Sequence, residues 1–540
     1  MNPWGETWPE TRDEAHYGDR VVRCFAERPA GMLDMLHQAV QRNPEGEALV
    51  CGDERLNYRE LLVLSEQLAA GLASQGIGPG DRVALLLGNR IEFVLMLFAA
   101  ARLGAISVPM STREQAPGLA YMLNHCGASL LVHEPELGSL LPPAGDAPTL
   151  RVRIATGVCA GSGDFASLLA TFPAPPPVDV DEEDTAVIMY TSGTTGKPKG
   201  AMLTNLGIVH SSMHYQIAMS LGQTDCSVAA VPLSHVTGLV ALITTMVRCA
   251  GKLVIMPAFK AEDFLVLATR EGMTYSLMVP AMYNLCLLRP DFSGYDLSRW
   301  RIGAYGGAPM PVATITTLAH TVPSLMLMNC YGSTETTSPS TLMPPNQTAA
   351  HNDSVGTALA CADIRVMDDG GREMPPDRLG EIWIRGPMTV RGYWDNLQGT
   401  AAGFTAGYWH SGDIGSIDAQ GYVKVVDRMK DMINRGGYKI YTIEVENALY
   451  EHPGVQECAV VSKPCPVLGE RVHAFVALKN ANTTAVELKD FCKHRLSDYK
   501  VPESFTLSHT PLPRNANGKL VKQAMRAQLL AGLTATQGKS

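Results

Sequence analysis

A segment rich in hydroxyl groups, glycine and lysine carries the most informative chemistry of this chain. It reads Tyr190-Thr-Ser-Gly-Thr-Thr-Gly-Lys-Pro-Lys-Gly200 and follows Ala186-Val-Ile-Met189, an apolar run that predicts a strand. Glycines allow a backbone to turn tightly and bring its N–H groups close to phosphate oxygens. The hydroxyl groups add hydrogen-bond donors, and the lysines add positive charge. The pattern therefore predicts a loop that holds a polyphosphate.

The spacing differs from that of the common phosphate-binding loop, which has four residues between its first glycine and a Gly-Lys pair and opens a helix. Here two residues separate Gly193 from Gly196, and Pro198 follows Lys197. A proline disfavours the helical conformation of the residue before it, so the segment is not expected to lead straight into a helix. A flexible linker is the alternative, but the strand directly before the segment favours phosphate binding.

Composition restricts the class of protein. With 540 residues, the chain is long enough for two or more domains. Its content of 46% hydrophobic and 18% charged residues is typical of a soluble enzyme. The net charge of −9 argues against a nucleic-acid partner, whose binding surface would be basic. Twelve cysteines without a Cys-x-x-Cys pair favour free thiols in a reducing compartment.

Two segments bear on secretion and membranes. The N-terminus lacks the apolar core of a signal peptide. Residues 226–247 contain no Asp, Glu, Lys or Arg and are long enough to span a bilayer. Pro232, Ser234, His235 and Gly238 interrupt this stretch, so a buried strand, a loop and a helix are predicted instead. We expect a cytoplasmic protein without integral membrane association.

Helices alternate with short apolar strands in the first half of the chain. An amphipathic helix is predicted over residues 57–75, because Asn57 and Glu60 have capping-box spacing and Gly76 follows as a stop signal. Another helix is predicted over residues 91–103, with strands over 82–87 and 105–109. This alternation predicts an α/β fold with mostly parallel sheets.

The composition changes near residue 427. A strand is predicted over residues 421–427, and a charged, glycine-ended segment follows over residues 428–437. Thr484 and Glu487 have capping-box spacing and predict a later helix. We therefore predict an N-terminal domain over residues 1–427 and a mobile α+β C-terminal domain over residues 428–540, with a hinge at 427–431.

Eight ordered motifs resemble those of the adenylate-forming superfamily, which contains acyl- and aryl-CoA ligases, peptide-synthetase adenylation domains and luciferases. They are Tyr190 to Gly200, Pro232-Leu-Ser-His235, Tyr305-Gly-Gly-Ala-Pro309, Tyr331-Gly-Ser-Thr-Glu335, Trp409-His-Ser-Gly-Asp413, Asp427-Arg428, Arg435-Gly-Gly437 and Pro513-Arg-Asn-Ala-Asn-Gly-Lys519. The resemblance is greatest to acid–CoA ligases. It implies a large N-terminal domain of α/β sheets with a small barrel-like subdomain, followed by a small mobile C-terminal domain.

The resemblance also implies an ATP site. Glu335 is expected to hold Mg²⁺, a hard cation that prefers oxygen ligands. Lys519 is expected to bridge the substrate carboxylate and the α-phosphate, where its charge stabilises the transition state. The catalytic residues implied are Lys519, Thr334, Glu335 and His235. The residues implied to bind ATP or AMP are Thr191, Ser192, Gly193, Thr194, Thr195, Lys199, Gly307, Ala308, Pro309, Tyr331, Gly332, Ser333, Asp413 and Arg428.

The acid and the thiol are given separate sites by the same resemblance. The acyl pocket is implied to contain Thr237, Gly306, Cys330, Thr337 and Ser338. His235 resembles a gate between this pocket and a pantetheine tunnel lined by Gly436, Gly437 and Tyr438. A lone histidine is more often a core residue, but the small neighbours Ser234 and Gly238 favour the gate. Lys430 matches the hinge position, where backbone rotation accompanies domain movement.

The implied activity is ATP-dependent and Mg²⁺-dependent ligation of a carboxylic acid to CoA through an acyl-adenylate. Because no residue of the implied acyl pocket is charged, we expect an uncharged-tail monocarboxylic acid, either aryl or short- to medium-chain. Asp427, Arg435 and Tyr438-Lys439 depart from the common family pattern near the tunnel, which leaves the acceptor open. A stand-alone enzyme that loads a carrier protein is the first alternative, and a nucleotide-binding regulator without turnover is the second. The sequence leaves a homodimer open.

Overall fold

The chain divides into two compact units. The computed structural model describes Trp4 and residues 8–176, 178–191, 197–289, 292–479, 482–514 and 520–537. The first unit comprises Met1–Gly307, Thr317–Ile364 and Ile384–His410, and the second comprises Ala308–Thr316, Arg365–Trp383 and Ser411–Ser540. Five predicted site residues lie outside the described residues, namely Ser192, Gly193, Thr194, Thr195 and Lys519.

Strands and helices alternate through most of the described chain. The strands are β1 (Thr11–His16), β2 (Arg20–Phe25), β3 (Glu47–Cys51), β4 (Glu54–Asn57), β5 (Arg82–Leu86), β6 (Ile106–Pro109), β7 (Leu130–His133), β8 (Val152–Ala155), β9 (Gly163–Asp164), β10 (Thr185–Thr191), β11 (Lys199–Thr204), β12 (Cys226–Ala229), β13 (Lys252–Ile255), β14 (Tyr275–Met278), β15 (Ile302–Gly306), β16 (Met326–Tyr331), β17 (Thr341–Leu342), β18 (Thr357–Ala358), β19 (Asp363–Met367), β20 (Gly380–Arg385), β21 (Phe404–Thr405), β22 (Tyr408–Ile417), β23 (Val423–Arg428), β24 (Ile433–Arg435), β25 (Tyr438–Ile440), β26 (Val455–Cys465), β27 (Gly469–Leu478) and β28 (Ser504–Ser508). The α-helices are α1 (Met32–Arg42), α2 (Tyr58–Ser74), α3 (Ile91–Arg102), α4 (Ala116–Cys126), α5 (Asn205–Ala218), α6 (Thr245–Cys249), α7 (Ala261–Glu271), α8 (Pro280–Leu287), α9 (Val312–Thr321), α10 (Leu397–Gly403), α11 (Thr442–Tyr450), α12 (Ala485–Lys493) and α13 (Lys522–Gln537).

The first unit contains two large sheets. The seven-stranded sheet has the order β11-β10-β6-β5-β7-β8-β9, and its pairs are parallel except for β10 with β11. The nine-stranded sheet has the order β18-β17-β16-β15-β14-β12-β13-β3-β4, with a parallel centre from β16 to β3. Parallel strands buried on both faces explain the near-continuous apolar runs of the sequence.

These sheets position two of the motifs. β10 ends at Thr191 and pairs antiparallel with β11, which begins at Lys199. The glycine-rich segment therefore joins two antiparallel strands and does not open a helix, as its spacing predicted. In the nine-stranded sheet, β15 and β16 end side by side at Gly306 and Tyr331, and the carboxyl edge of a parallel sheet is the usual place for ligands.

Two further sheets follow in the chain. One has the order β19-β20-β22-β21, with β23 on β22, and it corresponds to the predicted barrel-like subdomain. The other has the order β25-β24-β27-β26, with β28 on β27. Helix α11 packs on β26, and the core there includes Ile433, Val445, Val460 and Leu488. The predicted fold class is confirmed: a large α/β N-terminal region and a small α+β C-terminal region. The domain boundary at 427–431 stays a prediction.

The local predictions with the clearest capping signals are confirmed. Helix α2 begins after Asn57, and the side chains and backbone of Asn57 and Glu60 form both reciprocal bonds of a capping box. Thr484 and Glu487 form the same motif before α12. Residues 226–247 begin with β12 and continue into a π-helix, Thr237–Thr244. Within the described residues, no helix combines the length and apolar character that a membrane span requires.

Candidate active site

Three hydroxyl groups converge on the Glu335 carboxylate in the first unit. Ser333 Oγ donates to Oε2 at 2.6 Å, Tyr393 Oη donates to Oε1 at 3.1 Å, and Thr191 Oγ1 approaches Oε1 at 3.3 Å. Glu335 is only 7% exposed. The donors come from three distant parts of the chain, so the fold fixes this carboxylate in one orientation.

The turn after β16 explains how Glu335 reaches this position. Ser333 caps a short 3₁₀ turn, Thr334–Thr336, and forms reciprocal bonds with Thr336. Thr337 and Ser338 then adopt left-handed conformations, with φ of 49° and 37°. Such conformations are costly for residues with a side chain, especially a β-branched one, and they concentrate at functional sites. The strained turn presents Glu335 beside the end of β10.

Tyr393 is a site residue that sequence reasoning missed. The Val390 N–H donates to Glu335 O at 2.9 Å and brings the segment of Tyr393 to the turn. Lys199 Nζ lies 4.8 Å from the centre of the Tyr393 ring, within the range of a cation–π contact. Burial and the neighbouring Glu335 carboxylate raise the pKa of Tyr393 well above its usual value, so its hydroxyl stays a donor. Its only sequence signal is an aromatic residue in a glycine-containing turn, which is too common to be informative.

The donor set around Glu335 fits a magnesium ion. The carboxylate and the neighbouring Thr191 hydroxyl offer hard oxygen atoms. Mg²⁺ commonly binds through one or two carboxylates together with substrate phosphates, and it keeps several waters. Glu335 would be the protein ligand in this arrangement. Its three hydroxyl donors would hold the ligand oxygens in a fixed direction.

Close packing surrounds the residues predicted to bind the acyl group. A Cβ on Gly306 would lie 2.4 Å from the Cys330 carbonyl oxygen, so only glycine fits between these strands. Ser338 is half-buried, and its hydroxyl lies 2.9 Å from the Tyr215 hydroxyl on α5. The Thr337 side chain is fully enclosed. Tyr215 was not predicted, because it lies on a helix without any of the recognised motifs.

The predicted gate lies at the entrance to the π-helix. His235 and Thr237 are both half-buried, and the Leu239 N–H donates to His235 O at 2.7 Å. A Cβ on Gly238 would lie 2.2 Å from the Pro232 carbonyl oxygen. The glycine therefore allows the motif to fold tightly back on itself behind His235. Among the other predicted site residues, Tyr331, Gly332 and Thr334 are half-buried, whereas Gly307, Ala308 and Pro309 are exposed.

The second unit brings together Asp413 and Arg428. They are directly opposite in the antiparallel pair of β22 and β23, and Arg428 Nε lies 3.0 Å from Asp413 Oδ1. The Asp413 side chain is 6% exposed and that of Arg428 is 52% exposed. Because the Asp413 carboxylate is buried and the Arg428 guanidinium is accessible, a polar ligand can approach this pair from the side of the arginine.

The predicted tunnel and hinge residues lie further along the same unit. Gly436 and Gly437 form the tip between β24 and β25, with φ of 58° and 92°. Tyr438 and Lys430 are exposed. Tyr438 stacks on Tyr499, with ring centres 4.7 Å apart. Glycine is required at this tip because L side chains rarely adopt such φ values.

Comparison with known proteins gives the family. Residues 36–394 match the family described as AMP-binding enzyme, and residues 444–519 match the AMP-binding enzyme C-terminal domain. Feruloyl-CoA synthase of Amycolatopsis sp is 34% identical over 90% of this chain and 96% of its own length. The fatty acid–[acyl-carrier-protein] ligase ScoC of Streptomyces coeruleorubidus is 32% identical over 90% of this chain and 94% of its own length.

A solved structure of similar fold comes from Bacillus subtilis. It is o-succinylbenzoate CoA synthetase in complex with its acyl-adenylate intermediate, with a TM-score of 0.81 and 28% identity over 93% of this chain and 98% of that one. Another structure of that enzyme contains ATP and a magnesium ion, with the same TM-score and identity over 91% and 98%. The chain belongs to the AMP-binding, adenylate-forming family. Within that family it is an AMP-forming acid–CoA ligase.

Proposed function

We propose that this ligase activates a monocarboxylic acid with an uncharged tail, either aryl or short- to medium-chain, and transfers the acyl group to coenzyme A. One observation carries the choice of acid: the side chains assigned to the acyl pocket are hydroxyls, a thiol and glycine. A second carboxylate on the acid would need a cation in that pocket, because burying an unpaired charge is costly. The similarity to feruloyl-CoA synthase favours an aryl acid over a short- to medium-chain acid.

The first step joins the acid to AMP. The substrate carboxylate attacks the α-phosphorus of ATP, and pyrophosphate leaves with the bonding electron pair. Thr334 and Lys519 are assigned to the α-phosphate, and Asp413 with Arg428 to the ribose. Mg²⁺, when bound by Glu335, supplies charge neutralisation on the phosphates. Catalysis here consists mainly of positioning and electrostatic stabilisation.

The second step replaces AMP by a thiol. The thiolate attacks the acyl carbon, and AMP leaves with the electron pair of the broken C–O bond. We assign the tip at Gly436 and Gly437 to the pantetheine arm and His235 to the gate. A mobile domain over residues 428–540, hinged at 427–431 through Lys430, would bring this tip to the adenylate.

All twelve cysteines are free thiols, which supports a cytoplasmic location.

A carrier protein is the second candidate for the acceptor. The observation that favours it is the similarity to ScoC, whose acceptor is an acyl carrier protein. Both acceptors present a pantetheine thiol, so the same adenylate and the same tunnel serve either one. The difference lies in the surface outside the tunnel, which meets a nucleotide in one case and a folded protein in the other.

Product mass spectrometry tests both assignments. The protein is incubated with Mg²⁺, ATP and single acids: ferulate and benzoate, straight-chain acids from C2 to C12, and o-succinylbenzoate as a charged-tail acid. Each acid is supplied with CoA, with a phosphopantetheinylated carrier protein, or with neither. Acyl-CoA and AMP from an aryl or short- to medium-chain acid support the proposal. Turnover confined to o-succinylbenzoate contradicts the uncharged pocket, and a thioester formed only on the carrier protein moves the acceptor to the second candidate.

A further inference from the structure

A largely enclosed lysine joins three elements of the second unit. Lys522, the first residue of α13, places Nζ 2.8 Å from Glu446 Oε1 and donates to Thr442 Oγ1 at 2.6 Å. Thr442 Oγ1 donates in turn to Asp427 Oδ1 at 3.0 Å, and the Thr442 N–H also donates to Asp427. The Lys522 and Glu446 side chains are 17% and 13% exposed. The network therefore connects the end of β23 with the first residue of α11 and the first residue of α13.

The Lys522 ammonium contacts the Glu446 carboxylate directly and reaches the Asp427 carboxylate through the Thr442 hydroxyl. Burial raises the pKa of Asp427 and of Glu446, and Lys522 opposes the shift in both. Burial, the largest single influence, lowers the pKa of Lys522, but Glu446, Asp427 and Asp431 together outweigh it and the net shift is upward. The lysine and the two carboxylates therefore stabilise one another's charged forms, because a buried carboxylate that loses its cation is strongly disfavoured. Asp427 also accepts at the N-terminus of α11, where the helix dipole favours a negative charge.

One end of the network fixes Arg428. Asp427 Oδ1 accepts from the Arg428 N–H at 2.7 Å, so the carboxylate that binds Thr442 also fixes the backbone of the arginine. The Arg428 guanidinium lies 3.0 Å from Asp413. Asp427 is 1% exposed and does not reach solvent, so its effect on a ligand would pass through Arg428.

The other end adjoins the segment that contains Lys519. Arg514 and Leu520 form an antiparallel bridge across residues 515–519, and the Val521 N–H donates to Pro513 O at 3.0 Å. The residues on either side of positions 515–519 are therefore bonded to each other. Lys522, two residues after Leu520, connects the C-terminal side to Glu446 and Thr442. Lys522, which forms the ion pair with Glu446, is three residues after Lys519 in the sequence.

We propose that Lys522 is a positioning residue for adenylation, which holds the chain beyond Lys519 in a fixed relation to Asp427 and Arg428. The inference rests on the proposed function, in which Lys519 meets the α-phosphate and Arg428 the ribose. Lys522 does not touch the substrates. It acts by removing freedom from Lys519, which does, and displacement of a catalytic group by about 1 Å can cost about 100-fold in rate.

The test separates positioning from a general contribution to folding. Lys522→Met removes the charge and keeps the chain length, and Lys522→Arg restores the charge. Lys493→Met is the matched control, because its exposed partner Asp490 lies on the surface of the same unit. For each variant, pyrophosphate release measures adenylation, and thioester formation from synthetic acyl-adenylate and CoA measures the second step. If Lys522→Met fails to fold, Thr442→Val takes its place. This variant removes the hydrogen bonds of the Thr442 hydroxyl and keeps the Lys522–Glu446 pair.

We expect Lys522→Met to lower the kcat of adenylation about 100-fold, with KM for ATP changed by less than about threefold and the second step spared. Lys522→Arg should recover part of the rate, and Lys493→Met should match the wild type. Lys519→Ala combined with Lys522→Met should be no slower than Lys519→Ala alone, because Lys522 acts through Lys519. Equal losses in both half-reactions, or multiplied losses in the double variant, would overturn the proposal. Full adenylation by Lys519→Ala alone would instead refute the proposed role of Lys519.

Discussion

Replacing Tyr393 with phenylalanine removes one of the three hydroxyl groups that donate to Glu335 and keeps the ring beside Lys199. The lost bond is 3.1 Å long and ends on a carboxylate that is 7% exposed. A hydrogen bond to a charged group contributes about 1.5–3 kcal/mol, which corresponds to about 10- to 100-fold in an equilibrium constant. Loss of a group that orients a metal ligand has an effect of the same size, about 10- to 100-fold. We therefore expect the apparent affinity for Mg²⁺ to fall by about this factor, while Ser333 and Thr191 keep the carboxylate in place.

The assay is a magnesium titration of pyrophosphate release, with free Mg²⁺ varied at constant ATP and saturating acid. Tyr408→Phe is the matched control, because the Tyr408 hydroxyl donates to a different carboxylate, Asp363. The magnesium curve of Tyr393→Phe should shift to higher concentrations, with much of the rate recovered at saturation, and the control should follow the wild type. An unshifted curve for Tyr393→Phe, or equal shifts for both variants, would refute the assignment of Glu335 as an oriented metal ligand.

Three other substitutions test separate parts of the site. Asp413→Asn weakens the charged pair with Arg428 and should raise KM for ATP about tenfold in steady-state kinetics; a lower kcat at unchanged KM would contradict a ribose contact. Gly306→Ala places a Cβ 2.4 Å from the Cys330 carbonyl and should cost about 1–3 kcal/mol of stability, so an unchanged Tm would contradict the close approach of β15 and β16. Gly436→Ala meets a φ of 58° and strains the tip by about 1–2 kcal/mol. It should slow thioester formation from preformed adenylate and spare adenylate formation, and equal loss in both steps would exclude a tunnel role.

Much of the local structure could be predicted because its signals are local. The capping boxes at Asn57 and Thr484 were visible from residues three apart, and both helices begin there. The proline after Lys197 indicated that the glycine-rich segment does not open a helix, and in the structure the next element is the strand β11, which pairs with β10. These features depend on interactions between residues only a few positions apart in the chain, so a short stretch of sequence is enough to predict them.

The convergence on Glu335 could be predicted only in part. Ser333 and Glu335 share a recognised motif, and Thr191 is the second residue of another, so all three were expected at one site. Tyr393 lies 58 residues from Glu335 and belongs to no recognised motif. The same applies to Lys522, which follows the Lys519 motif without any sign in the sequence that its ammonium is enclosed. Both contacts require knowledge of which segments pack together.

The sequence by itself determined the family, the α/β fold class, the helix boundaries with capping signals and the types of residue that can hold a nucleotide. The tertiary structure alone decided which distant side chains meet: Tyr393 with Glu335, Tyr215 with Ser338, and Lys522 with Glu446. The physical reason is that turns and caps are set by interactions within a few residues, whereas these contacts depend on sheet order and packing. Sheet order is a property of the whole folded chain, and no short pattern encodes it.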